Sequence, residues 1–226
     1  DKYRTMGVRT NADTPEDAQQ ALDFGAEGIG LFRIEHMFYG KNSETPLALL
    51  RKMILSGSTE ERKKWLNELH LHIKQSVKGT MKVMDKKPVT FRLIDPPLHE
   101  FVPHTKDKID LLANELNINS AELEDRIEVL NEVNPMMGLR GVRLGVIYPE
   151  ISETQFRALF EAEAELRKEG FDPHLEIMIP LTVSVTELKN QKEICDKVHA
   201  EVEKAMNAKI AYMYGTMIEI PRATLV

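Results

Sequence analysis

The stretch Gly28-Ile29-Gly30-Leu31-Phe32-Arg33-Ile34-Glu35-His36-Met37 decides how the chain is read. A short apolar run, long enough for a buried strand, ends abruptly in an arginine, a glutamate and a histidine. Either these groups mark the strand's exit into water, or they begin a site. The residues upstream set the context. Thr14-Pro15-Glu16-Asp17 has the signature of a helix start: a threonine to cap free N–H groups, a proline whose φ is already helical, and acid in the first turn. Gly25 can end that helix, so a strand follows it. The glycines of Gly25-Ala26-Glu27-Gly28-Ile29-Gly30 precede a strand instead of joining a strand to a helix. That is the wrong context for a phosphate-cradling loop, and a tight turn is expected there.

Downstream the alternation continues. Ser58-Thr59-Glu60-Glu61 reads as a capping box. Behind it Leu66, Leu69, Ile73, Val77, Met81 and Met84 recur at helical spacing, which predicts an amphipathic helix to about Asp85. Pro88 closes it. Val89 to Asp95 reads as a strand stopped by Pro96-Pro97, because proline offers no N–H to a ladder. Residues 105–132 are polar and helical in pattern. A helix is expected after Ser152, with Phe156, Leu159 and Phe160 on its face. Leu175 to Pro180 is a strand, Ser184-Val185-Thr186-Glu187 caps a helix striped by Leu188, Cys195, Val198 and Val202, and Ile210 to Glu219 is a long apolar strand before Pro221. With Gly7 to Asn11 this makes five strands.

Strands alternating with helices predict an α/β fold with a parallel sheet and helices packed outside it. A closed (β/α)8 TIM barrel takes roughly 250 residues, and more with insertions. The expectation is therefore a partial TIM barrel with about five of eight strands present, about three βα units lying past Val226. Residues 1–226 would be the N-terminal part of such a barrel domain, with helical insertions at about 44–87 and 100–133. A five-stranded open sheet is the alternative. The chain starts at Asp1 without a methionine and stops at Thr224-Leu225-Val226, so both ends are expected to be cut from a longer protein.

Composition narrows the function. The 226 residues are 42% hydrophobic and 29% charged, with a net charge of −6. That is ordinary globular composition, and it lacks the basic excess of a nucleic-acid binder. No apolar run approaches the roughly 20 residues of a membrane helix. One cysteine excludes an intrachain disulfide and suits a reducing compartment such as the cytoplasm. Cys195 sits on an apolar stripe and reads as a structural thiol. His70 and His72 face different ways on a helix, and His36, His99 and His104 lack metal spacing.

In parallel barrels, chemistry sits where strands end. Arg33 ends the second strand, Arg92 lies near the end of the third with Asp95 just beyond, and Glu219 ends the fifth. Arginine's planar fork suits phosphate and carboxylate. A carboxylate nearby suits Mg²⁺, which also binds substrate phosphate oxygens. Taken singly, these residues would be structural ion pairs, Arg33 with Glu35 and Arg92 with Asp95. Four of them at equivalent strand ends favour a site for an anionic, phosphorylated substrate.

The runs "GVRTNADTPEDAQQALDFGAEGIGLFRIEHMFYG", "VTFRLIDPPLHEF", "NPMMGLRGVRLGVIYPE" and "YGTMIEIPRATL" carry a resemblance over residues 7–226, in order. They resemble the C-terminal phosphoenolpyruvate/pyruvate-binding domain of the pyruvate phosphate dikinase family. The Asp-Pro-Pro-Leu-His-Glu and Arg-x-Glu-His-Met runs favour that family over phosphoenolpyruvate synthase and Enzyme I of the sugar phosphotransferase system, which share the barrel. Ile34 stands where the family pattern has threonine.

The resemblance implies that Arg33 and Arg92 grip the phosphoryl group, that Glu219 binds substrate and is one of two carboxylates holding Mg²⁺, and that Asp95 and Arg140 support the site. It implies transfer of phosphate from phosphoenolpyruvate to a histidine on a swivelling domain of the same full-length chain, which also carries an ATP-grasp domain. It further implies a homodimer and a cytoplasmic location, with plastid or glycosome possible in some eukaryotes. The family's second metal ligand and its proton-donor cysteine are not matched here, so no complete set of catalytic residues is expected within this chain. A non-catalytic ligand-binding module, or a Mg²⁺-dependent carbon–carbon lyase on the same barrel, would use similar arginine and acid positions. The Asp-Pro-Pro-Leu-His-Glu run argues against the lyase.

Overall fold

Five strands lie parallel in chain order: β1 (Thr10–Asn11), β2 (Ile29–Arg33), β3 (Pro88–Arg92), β4 (His174–Ile179) and β5 (Tyr212–Thr216). A computed structural model describes residues 3–40, 43–116, 118–132 and 134–225. Parallel neighbours need a crossover between them. Four helices provide these: α1 (Pro15–Asp23), α3 (Thr59–Val83), α7 (Pro149–Lys168) and α8 (Val185–Met206). They pack in the same succession, α1 on α3, α3 on α7 and α7 on α8. Strand order never reverses, as it would in a doubly wound sheet. The arrangement is that of part of an α/β barrel.

The period-2 alternation of strands sorts the side chains. Val89, Phe91, Leu175, Ile177 and Ile179 enter the core shared with the helices, where Phe156 and Phe160 are fully buried. Burying a side chain of this size stabilises the fold by roughly 1.5–3 kcal/mol. Thr90, Glu176 and Met213, which pair across β3, β4 and β5, lie on the other face. There Thr90 Oγ1 and Arg9 Nη1 both donate to Glu176 Oε2 at 2.6 Å. Outside the helical layer, α3 and α7 are laced by Lys74 to Glu161 (3.1 Å) and Glu165 (3.0 Å), and by Lys78 to Glu165 and Glu169 (both 2.7 Å). Each such surface pair is worth about 0–1 kcal/mol, and the run mainly fixes how the two long helices align.

The caps follow the sequence. Thr14 Oγ1 accepts from Asp17 N–H at 3.1 Å, and Gly25 leaves α1 with φ +87°. Ser184 and Glu187 form the full reciprocal box that starts α8. The box at Ser58 is half formed: Ser58 Oγ accepts from Glu61 N–H, but the Glu61 carboxylate accepts from Gly57 N–H at 2.9 Å instead of the cap residue. Two helices, α4 (Lys106–Leu116) and α5 (Ser120–Leu130), form the polar excursion, and α2 (Glu44–Ile54) packs on α3.

Several boundaries differ from expectation, among them the third strand, which ends at Arg92 and not at Asp95. The first strand is two residues long, because the Glu27 carboxylate takes the Val8 N–H at 3.0 Å where a ladder bond would lie. The last strand ends at Thr216; Met217 still bonds to Ile179, but the Leu181 N–H turns to the Glu219 carboxylate at 2.8 Å. The helix bearing Phe156 begins at Pro149, whose fixed φ suits the first turn. Ser152 therefore lies inside the helix, buried and donating to Gln191 at 2.7 Å.

Cys195 is fully buried on α8, and burial pushes its thiol up to about 12. We expect Cys195→Ala to cost on the order of 1 kcal/mol in a denaturant melt through lost packing. The native thiol should resist a thiol-specific reagent, and rapid modification of folded protein would contradict this placement.

Candidate functional site

The C-terminal ends of three neighbouring strands carry the charged groups. Register places Arg33 beside Arg92, and Arg92 beside Met178. Past β1 the chain runs Ala12-Asp13. Past β2 it turns through a short 3-10 helix, Ile34–Phe38, whose Ile34 and Phe38 are anchored in the core and whose Glu35 is 2% exposed. Past β3, Leu93 and Ile94 are buried and Asp95 follows at 4% exposure.

Asp13 clasps Arg33 with both oxygens, accepting from Nε at 3.2 Å and Nη2 at 2.5 Å, and its Oδ1 also accepts from the Arg33 backbone N–H at 2.9 Å. His36 Nδ1 stands 3.0 Å from Asp13 Oδ2. Arg92 Nη2 donates to Glu35, and Arg92 Nη1 lies 3.3 Å from Asp95 Oδ2. Arg140 completes the group, with Nη2 donating to Asp95 Oδ2 at 2.8 Å and Nε to the Asp95 carbonyl at 3.1 Å. Of the two structural ion pairs weighed from sequence, Arg92–Asp95 forms. Arg33–Glu35 does not: Asp13, arriving from the neighbouring strand, meets the guanidinium fork to fork, and Glu35 is drawn to Arg92.

Burial works to raise the Asp13 carboxyl, but the hydrogen bonds from Arg33 and the charges of His36 and Arg33 hold it below the usual carboxylate range. Burial pushes Glu35 up, and Arg92 offsets this only in part. Burial likewise holds His36 down, against the pull of Asp13. Among the described residues, three buried polar atoms in this group lack a protein partner: Glu35 Oε2, Arg92 Nε and Asp95 Oδ1. Such atoms are usually satisfied by water, an ion or a ligand.

Arg33, Arg92, Asp95 and Arg140 are thus brought to one rim. Among the described residues Glu219 makes no hydrogen bond or ion pair with them. It is exposed, three residues past the end of β5, and its contact is the Leu181 N–H. Leu181 and Asp95 both lie against Gly141, the first residue of α6 (Gly141–Ile147). Among the described residues no group of three or more His, Cys, Asp or Glu could hold a metal ion. Glu219 fits a Mg²⁺ site only as a single carboxylate ligand, of the kind that shares the ion with substrate phosphate and water. Ile34 is buried and offers no hydroxyl to the rim.

Sequence reasoning missed Asp13 and gave Glu35 no role in the site. Asp13 had a usable signal, since it follows a strand as Asp95 does. Glu35 had none, because its pairing with Arg92 depends on the register between two strands.

The family model for PEP-utilising enzymes, PEP-binding domain, matches residues 1–226. The chain is 49% identical to pyruvate, phosphate dikinase of Clostridium symbiosum, over 100% of this chain and 26% of that protein. It is 48% identical to pyruvate, phosphate dikinase of Giardia intestinalis, over 99% of this chain and 25% of the relative. It is 45% identical to the chloroplastic pyruvate, phosphate dikinase 1 of rice, Oryza sativa subsp. japonica, over 100% and 24%. The chain spans about a quarter of the length of these curated relatives.

Proposed function

The chain belongs to the PEP-utilising enzyme family, as its PEP-binding domain, and from that premise we propose that it forms the phosphoenolpyruvate/pyruvate end of a pyruvate, phosphate dikinase. The observation that carries this reading is the placement of Arg33 and Arg92 at one level on adjacent strands, each held by an acid. Two guanidinium forks side by side suit a phosphoryl group, whose oxygens accept paired N–H bonds.

In the proposed reaction the enol O–P bond of phosphoenolpyruvate breaks and a P–N bond forms to a histidine on another domain of the same polypeptide. The electron pair stays on oxygen as the enolate of pyruvate. In reverse, pyruvate's enolate takes the phosphoryl group. With an ATP-grasp domain charging the same histidine, the sum is ATP, phosphate and pyruvate giving AMP, diphosphate and phosphoenolpyruvate. Arg33 and Arg92 neutralise charge that spreads over the phosphoryl oxygens during transfer. Asp95 stands beside Arg92 at the rim and is itself held by Arg140. Glu219 supplies one ligand to Mg²⁺, which when bound adds positive charge near the phosphate and enolate oxygens. The full-length protein is proposed to act as a homodimer in the cytoplasm or a plastid. No described helix is long and apolar enough to cross a membrane.

The test is calorimetric titration of phosphoenolpyruvate into the full-length protein, with Arg33→Ala beside it. We expect binding that the variant loses by tenfold or more, the order of one charged hydrogen-bonded contact. Equal binding by both would overturn the assignment. Glu219→Gln keeps size and loses charge, so the Mg²⁺ concentration for half-maximal activity should rise several-fold. An unchanged Mg²⁺ curve would leave Glu219 with only its structural bond to Leu181.

A further inference from the structure

We infer that Glu35 is a positioning residue for anion binding, acting through Arg92 and touching no substrate itself. This role rests on the proposed function above. Glu35 is set on a turn that cannot easily shift: Ile34 and Phe38 on either side are 1% exposed, and the Phe38 ring meets Phe101 edge-on at 5.7 Å. From there its carboxylate reaches across to the neighbouring strand and takes Arg92 Nη2. The alternative support for Arg92 is weaker. Asp95 stands 3.3 Å from Nη1 and spends the same oxygen on Arg140 at 2.8 Å. Without Glu35, Arg92 would have one shared, longer contact and freedom to swing.

Charge makes the arrangement informative. A buried carboxylate beside an anion-gripping arginine lowers the local positive potential, so a rim built only for affinity would omit it. What Glu35 adds is direction. Both Nη groups of Arg92 lean on acids, while its Nε is buried with no partner among the described residues. Arg33 is treated differently, with Asp13 binding its side chain twice and its backbone once, so it is fixed whatever Glu35 does.

The experiment uses the full-length protein with Glu35→Ala, Glu35→Gln, Arg92→Ala and the double variants. Binding and KM for phosphoenolpyruvate are measured beside kcat and the ATP-side partial exchange. We expect E35A to raise KM for phosphoenolpyruvate about tenfold, within the range of couplings for touching residues. ATP-side exchange should be unchanged. E35Q, whose amide oxygen can still accept from Nη2, should recover part of the loss. In the Arg92→Ala background neither substitution at 35 should weaken binding further. Losses that simply add to that of R92A, or no effect of E35A and E35Q, would overturn the inference. If E35A fails to fold, E35Q alone and combined with R92A measures the same coupling between the two side chains. Full phosphoenolpyruvate binding by R92A alone would instead overturn the proposed function.

Discussion

Arg92→Ala is expected to lower pyruvate-side phosphoryl transfer in the full-length protein by about 10²–10³-fold, the usual cost of removing one preorganised charge-stabilising donor. The reason is geometric. Arg92 ends β3, the central strand of the sheet, and its side chain is 13% exposed between Glu35 and Asp95. Removing its guanidinium deletes a positive charge where phosphoryl charge would develop. It also leaves the buried Glu35 without its guanidinium partner, while Asp95 keeps its bond from Arg140. Leaving such a charge uncompensated should cost stability as well, about 3–5 kcal/mol for a buried pair broken on one side. Kinetics must therefore be read on protein whose melting has been checked. Arg92→Lys separates the two effects, since it keeps charge but loses the planar fork. We expect R92K to recover most of the stability and little of the rate. Near-normal pyruvate phosphorylation by R92A would remove Arg92 from the reaction.

Gly141→Ala should destabilise the fold by about 2–5 kcal/mol and weaken phosphoenolpyruvate binding with it. Gly141 has φ +54°, in the left-handed region where a Cβ costs roughly 1–2 kcal/mol. An added Cβ would also stand 3.0 Å from Leu181 Cβ and 3.1 Å from Asp95 Oδ1. Overpacking of that kind typically costs about another 1–3 kcal/mol. The neighbours concerned matter: Asp95 holds Arg92 and Arg140, and the Leu181 N–H holds Glu219. Relief by moving either one disturbs a candidate site residue. Denaturant unfolding and calorimetric binding on the same preparation check both halves. A variant as stable as the parent would show that the helix start at Arg140 can relax without Asp95.

The sequence by itself determined the alternation of elements, the parallel sheet and most helix starts. These are local or periodic properties: Thr14 and Ser184 cap because their own hydroxyls reach N–H groups three residues on, and the buried stripe of α3 is legible at helical spacing. Because parallel strands all end on one side, the same reading also brought Arg33, Arg92 and Asp95 to one rim. Tertiary structure decided the partners. Whether Arg33 faces Glu35 or Asp13 depends on which neighbouring strand delivers a carboxylate at the right height, and the register of β1 on β2 is shifted by an irregularity that no local signal announces. Tertiary structure also decided where strands stop, because Glu27 and Glu219 spend side-chain oxygens on backbone N–H groups that a ladder would have used. Pairing across strands is a matter of distances set by packing between residues far apart in the chain. That is why the charged residues were readable one by one, while the tethers among them were not.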